Sequence, residues 1–421
     1  VTQAPSQLNQ QRLHSATRRC VLHLAVEYPS RNRPDNTPAV RHFIQANPQV
    51  DYRVIALRRT ANPFKCNALA GDGEGDNRVT SMRYWGLPLG IGLFASMTLV
   101  AWRIRRLLAK EGIRVDLVHA HKFSFEGIAG WWLARWRQCP LALSVRGEAE
   151  AKILRFKPYY DPFFRRQLQD AAHIYYVSAW FKPLLNSRFS LDSDKQSLLP
   201  NFVADKQWQT SSEFTEDHLV SIIDLNVYQK KGLNKLLQAM QALLADYPKL
   251  KLDVIGSGTD KSRRAVEALL TQMKMQDRVT LVGGLSNAEL LNRLPQYAGM
   301  VMPSVNETFG MVYVEALLSG VPILHSTNTG IDGFLDDIPA RVMADPLDVE
   351  EIRTALDSLL RNQHGFRQWL LANHQHIVCR FSRDRYIDAY NQQFQLLAPR
   401  PQDRDNDPRS ACQSPEPRRL K

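Results

Sequence analysis

Residues 302–322 read MPSVNETFGMVYVEALLSGVP. A short apolar run closes at Met302, a polar loop carries Glu307, and Gly310 opens an apolar helical segment that ends near Gly320. Strand, loop and helix in that order make the repeating unit of a parallel α/β sheet. A helix start offers unpaired backbone N–H groups and the positive end of its dipole, which suits a phosphate. Glycine at 310 lets the backbone come close to such a ligand. Glu315 lies about a turn and a half into the helix, and a carboxylate there can accept hydrogen bonds from both hydroxyls of a ribose. One loop, one helix end and two carboxylates together fit a nucleotide-sugar.

Outward from this stretch the same unit recurs. Short apolar strands are expected at 20–26, 52–57, 115–119, 141–145 and 174–177, and again at 219–223, 251–255, 279–282, 299–302 and 321–324. Helices fit between the second series at 232–245, 262–275, 287–294 and 312–319. In the first of these Leu233, Leu236, Leu237, Met240, Leu243 and Leu244 recur at helical spacing. Three more helices are expected at 346–361, 366–377 and 385–397. The pattern predicts an α/β protein with two Rossmann-like domains facing across a cleft. The first spans residues 1–200, and the second spans 201–380 and carries the nucleotide-sugar stretch 302–322; the resemblance described below makes the first the acceptor-binding domain. A linker lies at 199–205, a C-terminal helix at 381–398 returns to the first domain, and 399–421 is a disordered tail rich in Pro, Arg, Asp and Ser. Ligands of open parallel sheets bind beyond the carboxyl ends of the strands, so chemistry is expected on the loops there.

The 421 residues carry 54 Lys and Arg against 42 Asp and Glu, a formal charge of +12 that favours anionic partners. Hydrophobic residues make up 44% of the chain, enough for two cores, which excludes a disordered or fibrous protein. The five cysteines (Cys20, Cys66, Cys139, Cys379 and Cys412) are scattered without a C-x-x-C spacing, so neither a disulfide framework nor a zinc site is expected. No basic segment followed by an apolar run precedes Cys20, and a cytoplasmic protein is expected. No basic run interleaved with aromatics lies on one element, so nucleic acid is not an expected partner.

Residues 85–102, WGLPLGIGLFASMTLVAW, approach the ~20 apolar residues of a membrane span. Gly86, Pro88, Gly90 and Gly92 crowd their first half, so the helix-competent part starts near Leu93. A buried or surface-lying helix is expected rather than a crossing. The basic residues that follow (Arg103, Arg105, Arg106 and Lys110) suggest peripheral contact with an anionic membrane, at the inner face of the plasma membrane.

The stretch 302–322 resembles the E-x7-E signature of glycosyltransferase family 4, whose members have the GT-B fold. Glu307 and Glu315 stand at the spacing of its two glutamates, within the surrounding P-S, E-x-F-G, E-A and G-x-P positions. The likeness continues through 254–258 (VIGSG), 278–284, 176–178 and 200–203. It implies that Glu307 faces the transferring sugar, that Glu315 holds the ribose, and that Phe309, Gly310 and Met311 present amides to the donor phosphates. Gly256 belongs to the family's glycine turn near the nucleotide. Members usually place an arginine five residues before a Lys-Gly pair, two cations for the donor diphosphate. Here Lys231-Gly232 is present, but Asn226 stands where the arginine is expected. Either Lys230 supplies the missing charge or the donor is held less tightly. The glycine pair expected after 323–325 is also altered, to Asn328-Thr-Gly330-Ile-Asp332.

On the acceptor side, VHAHK at 118–122 resembles the family's H-x-H element. Alternate residues of a strand face the same way, so His119 and His121 share a face. His121, nearer the strand end, is the candidate for orienting or deprotonating the acceptor hydroxyl, while His119 also reads as a packed core residue. Arg146, in SVRGE (144–148), can clamp an acidic acceptor or a lipid diphosphate, or serve a structural ion pair. Glu27 replaces a glycine-rich loop that often touches substrates. Asp192-Ser-Asp194 matches the metal motif of a different glycosyltransferase fold but reads as a polar loop. No cofactor and no metal are expected.

The resemblance implies sugar transfer with retention of configuration, from a nucleotide-sugar donor to a glycan or lipid-linked acceptor, in cell-surface polysaccharide synthesis. In that reading Glu307, His121 and Lys231 are catalytic. The alternatives are a non-catalytic nucleotide-sugar-binding partner, favoured by Asn226, and a sugar-nucleotide epimerase.

Overall fold

The structure, a computed structural model, describes residues 19–203 and 208–397. Eight strands build the first sheet: β1 (Cys20–Ala25), β2 (Asp51–Thr60), β3 (Asn67–Ala70), β4 (Val79–Trp85), β5 (Leu117–Ala120), β6 (Leu141–Val145), β7 (His173–Tyr176) and β8 (Gln196–Leu198). Their order is β3-β4-β2-β1-β5-β6-β7-β8. β1 pairs in parallel with β2 on one side and β5 on the other, and only the β3–β4 pair runs antiparallel among the registers of this sheet.

Six strands build the second sheet: β9 (Thr215–Ile222), β10 (Lys251–Ile255), β11 (Val279–Gly283), β12 (Tyr297–Val301), β13 (Ile323–Ser326) and β14 (Arg341–Ala344). Their order, β11-β10-β9-β12-β13-β14, steps outward from β9 in one direction and then restarts beside it in the other. That is the doubly wound Rossmann order, with its switch point between β9 and β12. The first sheet has the corresponding reversal between β1 and β5.

Among the described residues, contacts group 19–143, 169–173 and 386–397 into one compact unit and 144–168, 174–203 and 208–385 into a second. This partition differs from a division at residue 200. Residues 144–147 and 177–180 are tied to later elements: the Ser178 hydroxyl reaches the Thr308 carbonyl, and Gly333 packs on Ala179. In the first unit Tyr390 and Asn391, on helix Arg383–Leu397, bond His119 and Asn47. The second unit has one continuous core in which Leu233, Leu236, Leu237, Met240 and Leu243 of helix Leu233–Leu243 are buried. Each such side chain contributes about 1.5–3 kcal/mol on leaving water.

Several elements differ from the sequence expectation. β3, β4, β8 and β14 were not foreseen. β4 carries Thr80 and Ser81 at buried positions, so it shows no apolar alternation. Two expected helices at 346–361 and 366–377 are replaced by a single helix Val349–Ala372 and a short one, His374–Arg380. Gly365 faces open space, so the helix runs through it at only the usual backbone cost. The segment 85–102 divides: Trp85 ends β4, 86–92 form a loop and short turn, and helix Leu93–Lys110 follows. Among the described residues no helix is long and apolar enough to cross a membrane. The expected tail, 399–421, and residues 204–205 of the expected linker lie outside the described residues.

Candidate functional site

Both loops that leave the switch point of the second sheet converge. The one after β9 runs from Asp224 to Gly232, and the one after β12 runs from Met302 to Gly310. They are stitched together where the Lys230 carbonyl accepts the Val305 N–H at 2.8 Å and the Ser304 hydroxyl at 3.3 Å. Beside this seam Lys231 Nζ lies 2.5 Å from Glu307 Oε2, an ion pair with both side chains about one-fifth exposed.

Glu307 is held from a third side. Its N–H donates to Thr329 Oγ1 at 2.9 Å, and its carbonyl accepts from the Thr329 hydroxyl at 3.2 Å and the Gly330 N–H at 3.0 Å. The altered Asn328–Asp332 stretch therefore still clamps the glutamate through its backbone. Gly310 caps helix Met311–Leu318 with φ +81° and no side-chain cap, and a Cβ there would stand 2.6 Å from the Tyr313 ring. Tyr313 is buried and its hydroxyl donates to the Met302 carbonyl at 2.6 Å, and burial holds its phenol well above the usual range. Phe309 packs edge-on against Phe334, 5.2 Å between centroids, so its side chain anchors the loop while its amide belongs to the helix entrance. One turn on, Glu315 Oε1 accepts from the Asn287 side-chain amide at 3.3 Å.

Gly256 follows β10 at φ +148°, where a Cβ would overlap the Ile223 carbonyl oxygen at 1.8 Å; only glycine closes this turn. Asn226 is engaged. Its Oδ1 accepts from the Thr259 N–H, the Thr259 hydroxyl and the Ser262 hydroxyl at 3.0–3.1 Å, and its Nδ2 donates to Asp224 at 2.9 Å. It ties the β9 loop to the start of helix Asp260–Gln272, a role no arginine could fill with those acceptor bonds. Lys230 is exposed, and its backbone, not its ammonium group, makes the bonds seen here.

Arg146 is 5% exposed, and its N–H donates to Glu150 Oε1 at 3.4 Å. The Ser178 hydroxyl lies 2.7 Å from the Arg146 carbonyl and 2.6 Å from the Thr308 carbonyl, so one proton is shared between two loops. The second unit thus brings Arg146, Lys231, Glu307, Gly310 and Glu315 onto connected loops.

His121, His119 and Glu27 belong to the first unit, at the carboxyl ends of β5 and β1. His23 on β1 is the register partner of His119, and its Nδ1 lies 3.1 Å from His121 Nε2. His119 Nδ1 lies 3.1 Å from the Tyr390 hydroxyl, and the His119 and His121 rings stack at 4.4 Å. All three imidazoles are buried, His121 at 2% as fully as His119 at 0%, so no contrast between an open and a packed histidine is seen. Burial pushes His23 down to about 3, which favours its neutral form in the contact with His121. Among the described residues this trio is the group with metal-ligand spacing, its nitrogens all within 4.8 Å, though it includes no carboxylate. Glu27 is paired with Lys122 at 2.5 Å. Beneath them Glu126 is fully buried, its Oε1 accepting from the Val26 N–H at 3.2 Å, and burial pushes it up to about 8. Asp192 caps a short turn through the Asp194 N–H, as a polar loop would.

His23, Ser178 and Thr329 escaped sequence reading. Each acts through strand register or loop contact between distant segments, and the continuous apolar run around His23 marks a strand without assigning its face.

Sequence comparison supplies the family. The profile described as Glycosyl transferases group 1 matches residues 206–375, and that described as Glycosyltransferase Family 4 matches 39–207. The chain belongs to the group 1, family 4 glycosyltransferases and has the GT-B fold of two Rossmann-like domains. It is 23% identical over 249 residues to the phosphatidylinositol N-acetylglucosaminyltransferase gpi3 subunit of Schizosaccharomyces pombe, covering 56% of this chain and 51% of that one. It is also 23% identical over 290 residues to the alpha-monoglucosyldiacylglycerol synthase of Acholeplasma laidlawii, covering 63% and 71%. The chain thus spans about half the length of the first relative. Among solved structures, Anabaena HepE in complex with UDP and glucose superposes with a TM-score of 0.60 at 13% identity, over 90% of this chain and all of that one.

Proposed function

We propose that this protein transfers a sugar, with retention of configuration, from a nucleoside-diphosphate sugar to a hydroxyl of a lipid-linked or glycan acceptor. The observation that carries this reading is the Lys231–Glu307 pair at the β9/β12 switch point, beside an uncapped helix start at Gly310. The diphosphate would take Lys231 and the amides around Gly310, which frees Glu307 to accept hydrogen bonds from the donor sugar. Glu315 would hold the ribose. As the bond from the anomeric carbon to the phosphate oxygen breaks, fixed amides and an ammonium group stabilise the charge that develops on the phosphate. The acceptor oxygen bonds the anomeric carbon on the face the diphosphate leaves, and its proton passes to the departing phosphate oxygen. His121 is proposed to orient that acceptor hydroxyl, which requires its buried ring to be uncovered when acceptor enters.

Both relatives named above carry a lipid in their names, which supports a lipid acceptor; work at the inner face of the plasma membrane, in cell-surface polysaccharide or glycolipid synthesis, is part of the same proposal. No metal is required in this reading, because cations of the chain and a helix end neutralise the diphosphate. The test is incubation with a panel of nucleotide-sugars and a lipid extract, with release of free nucleotide as the readout. Sugar incorporation that requires Glu307 supports transfer.

One observation favours a second reading, a binding protein without turnover: Asn226 is committed to Thr259 and Ser262 and leaves Lys231 as the cation paired with Glu307. Tight nucleotide binding without release from any donor would establish it. An epimerase would interconvert the sugar without acceptor, which the same panel separates.

A further inference from the structure

Helix Leu93–Lys110 buries Leu93, Met97, Val100, Ala101, Ile104 and Leu108 along one face. The opposite face is not the usual polar one. Leu99 and Trp102 are 44% and 41% exposed, and the preceding loop and strand expose Trp85, Leu87 and Ile91, the last at 58%. Phe64 is 96% exposed. Of the thirteen exposed large hydrophobic side chains among the described residues, seven fall between 64 and 102. Single exposed apolar groups need no explanation, but such a concentration marks an interaction surface.

The charges on this segment have one sign. From Asn77 to Lys110 the sequence has no Asp or Glu and carries Arg78, Arg83, Arg103, Arg105, Arg106 and Lys110. Arg103, Arg106 and Lys110 recur at helical spacing and line a groove of ≈ 380 Å³ with Leu107, Met82 and Ala68. The Arg106 guanidinium lies 3.6 Å from the centroid of the Trp102 ring, so cation and aromatic are presented together. Among the described residues no carboxylate pairs with Arg103, Arg106 or Lys110.

We infer that this face docks on an anionic phospholipid bilayer, with Ile91, Leu99 and Trp102 entering the interface and Arg103, Arg106 and Lys110 holding lipid phosphates at the groove. The inference deepens the membrane part of the proposed function and rests on that reading for its biological setting, but the surface is independent of the site around Glu307. Tryptophan settles at the headgroup level, and unpaired cations meet the anionic lipid there. An RNA or DNA partner would use the cations but leave Ile91, Leu87 and Leu99 in water.

The test is sedimentation of the full chain with vesicles of phosphatidylcholine alone or mixed with phosphatidylglycerol. The wild type binds the mixed vesicles at least tenfold more tightly, an affinity that weakens with salt without vanishing. Arg103→Glu/Arg106→Glu lowers binding about tenfold or more, and Ile91→Ser/Leu99→Ser lowers it even at low salt. Arg264→Glu, on helix Asp260–Gln272, leaves it within about twofold. All these positions are exposed, and a thermal melt confirms that each variant is folded. Equal binding by wild type and both double variants overturns the inference. So does binding to a short duplex DNA, with the same arginine dependence, by a protein that ignores vesicles. Nucleotide release from the donor panel, run with detergent-solubilised lipid extract in place of vesicles, separates the two readings: vesicle binding without turnover there leaves the docking face standing and removes the transferase, and turnover without vesicle binding does the reverse.

Discussion

Lys231 Nζ stands 2.5 Å from Glu307 Oε2, joining the loop after β9 to the loop after β12 at the point where the second sheet reverses its strand order. In the proposed function this cation and anion exchange partners when the donor binds. The ammonium can turn to a diphosphate and the carboxylate to a sugar hydroxyl, at little cost because both remain partly solvated. Each neighbouring group has a distinct, measurable role.

Gly310 makes the helix entrance possible. Gly310→Ala forces a Cβ to within 2.6 Å of the Tyr313 ring at φ +81°. A loss of about 1–3 kcal/mol is expected from denaturant unfolding, with weaker nucleotide binding as the amides are displaced. An unchanged unfolding midpoint would mean the glycine is not required.

Asn226 is predicted to act on structure, not on the donor. Asn226→Ala removes the acceptor for Thr259 and Ser262 and should cost about 1 kcal/mol of stability. The turnover of the folded enzyme should stay within about twofold. A large fall in turnover at unchanged stability would instead place Asn226 on the donor.

Burial of His23 and Glu126 predicts two opposite pH limbs. The folded-state value of His23, about 3, lies below its ordinary 6.5. The unfolded chain therefore takes the proton first, and stability is complete above pH 6.5 and falls from there toward pH 3. Glu126, at about 8 against an ordinary 4.5, works the other way: stability is complete below pH 4.5 and is lost as pH rises toward 8. Each limb has a slope of up to about 1.4 kcal/mol per pH unit. His23→Asn should flatten the acid limb and Glu126→Gln the alkaline one, read from denaturant midpoints across pH.

Chelation should leave sugar transfer unchanged. If treatment with EDTA abolishes transfer and a divalent metal restores it, the His23, His119 and His121 nitrogens are the first place to look for that ion.

What the sequence revealed follows from how local each feature is. β6 and β10 were readable to the residue, and the strand–loop–helix around Glu307 to within two, because apolar runs, a polar loop and Gly310 all lie within one contiguous stretch. The commitment of Asn226 was invisible, since Thr259 and Ser262 lie more than thirty residues away and nothing local links them. The burial of His121 was likewise not legible: its place at the strand end suggested exposure, while His23 and Phe43 pack against it from distant segments. β4 went unread because its buried Thr80 and Ser81 break the apolar pattern that reports a strand.

In the proposed function the ammonium group of Lys231 and the Gly310 helix end receive a donor diphosphate. Calorimetric titration with UDP, GDP, ADP and their monophosphates measures it directly. At least one diphosphate should bind more tightly than its monophosphate, Lys231→Met should weaken that binding about tenfold or more, and Lys230→Met should change it less than about twofold. Equal diphosphate affinity in wild type and Lys231→Met, or no nucleotide bound at all, would contradict the account.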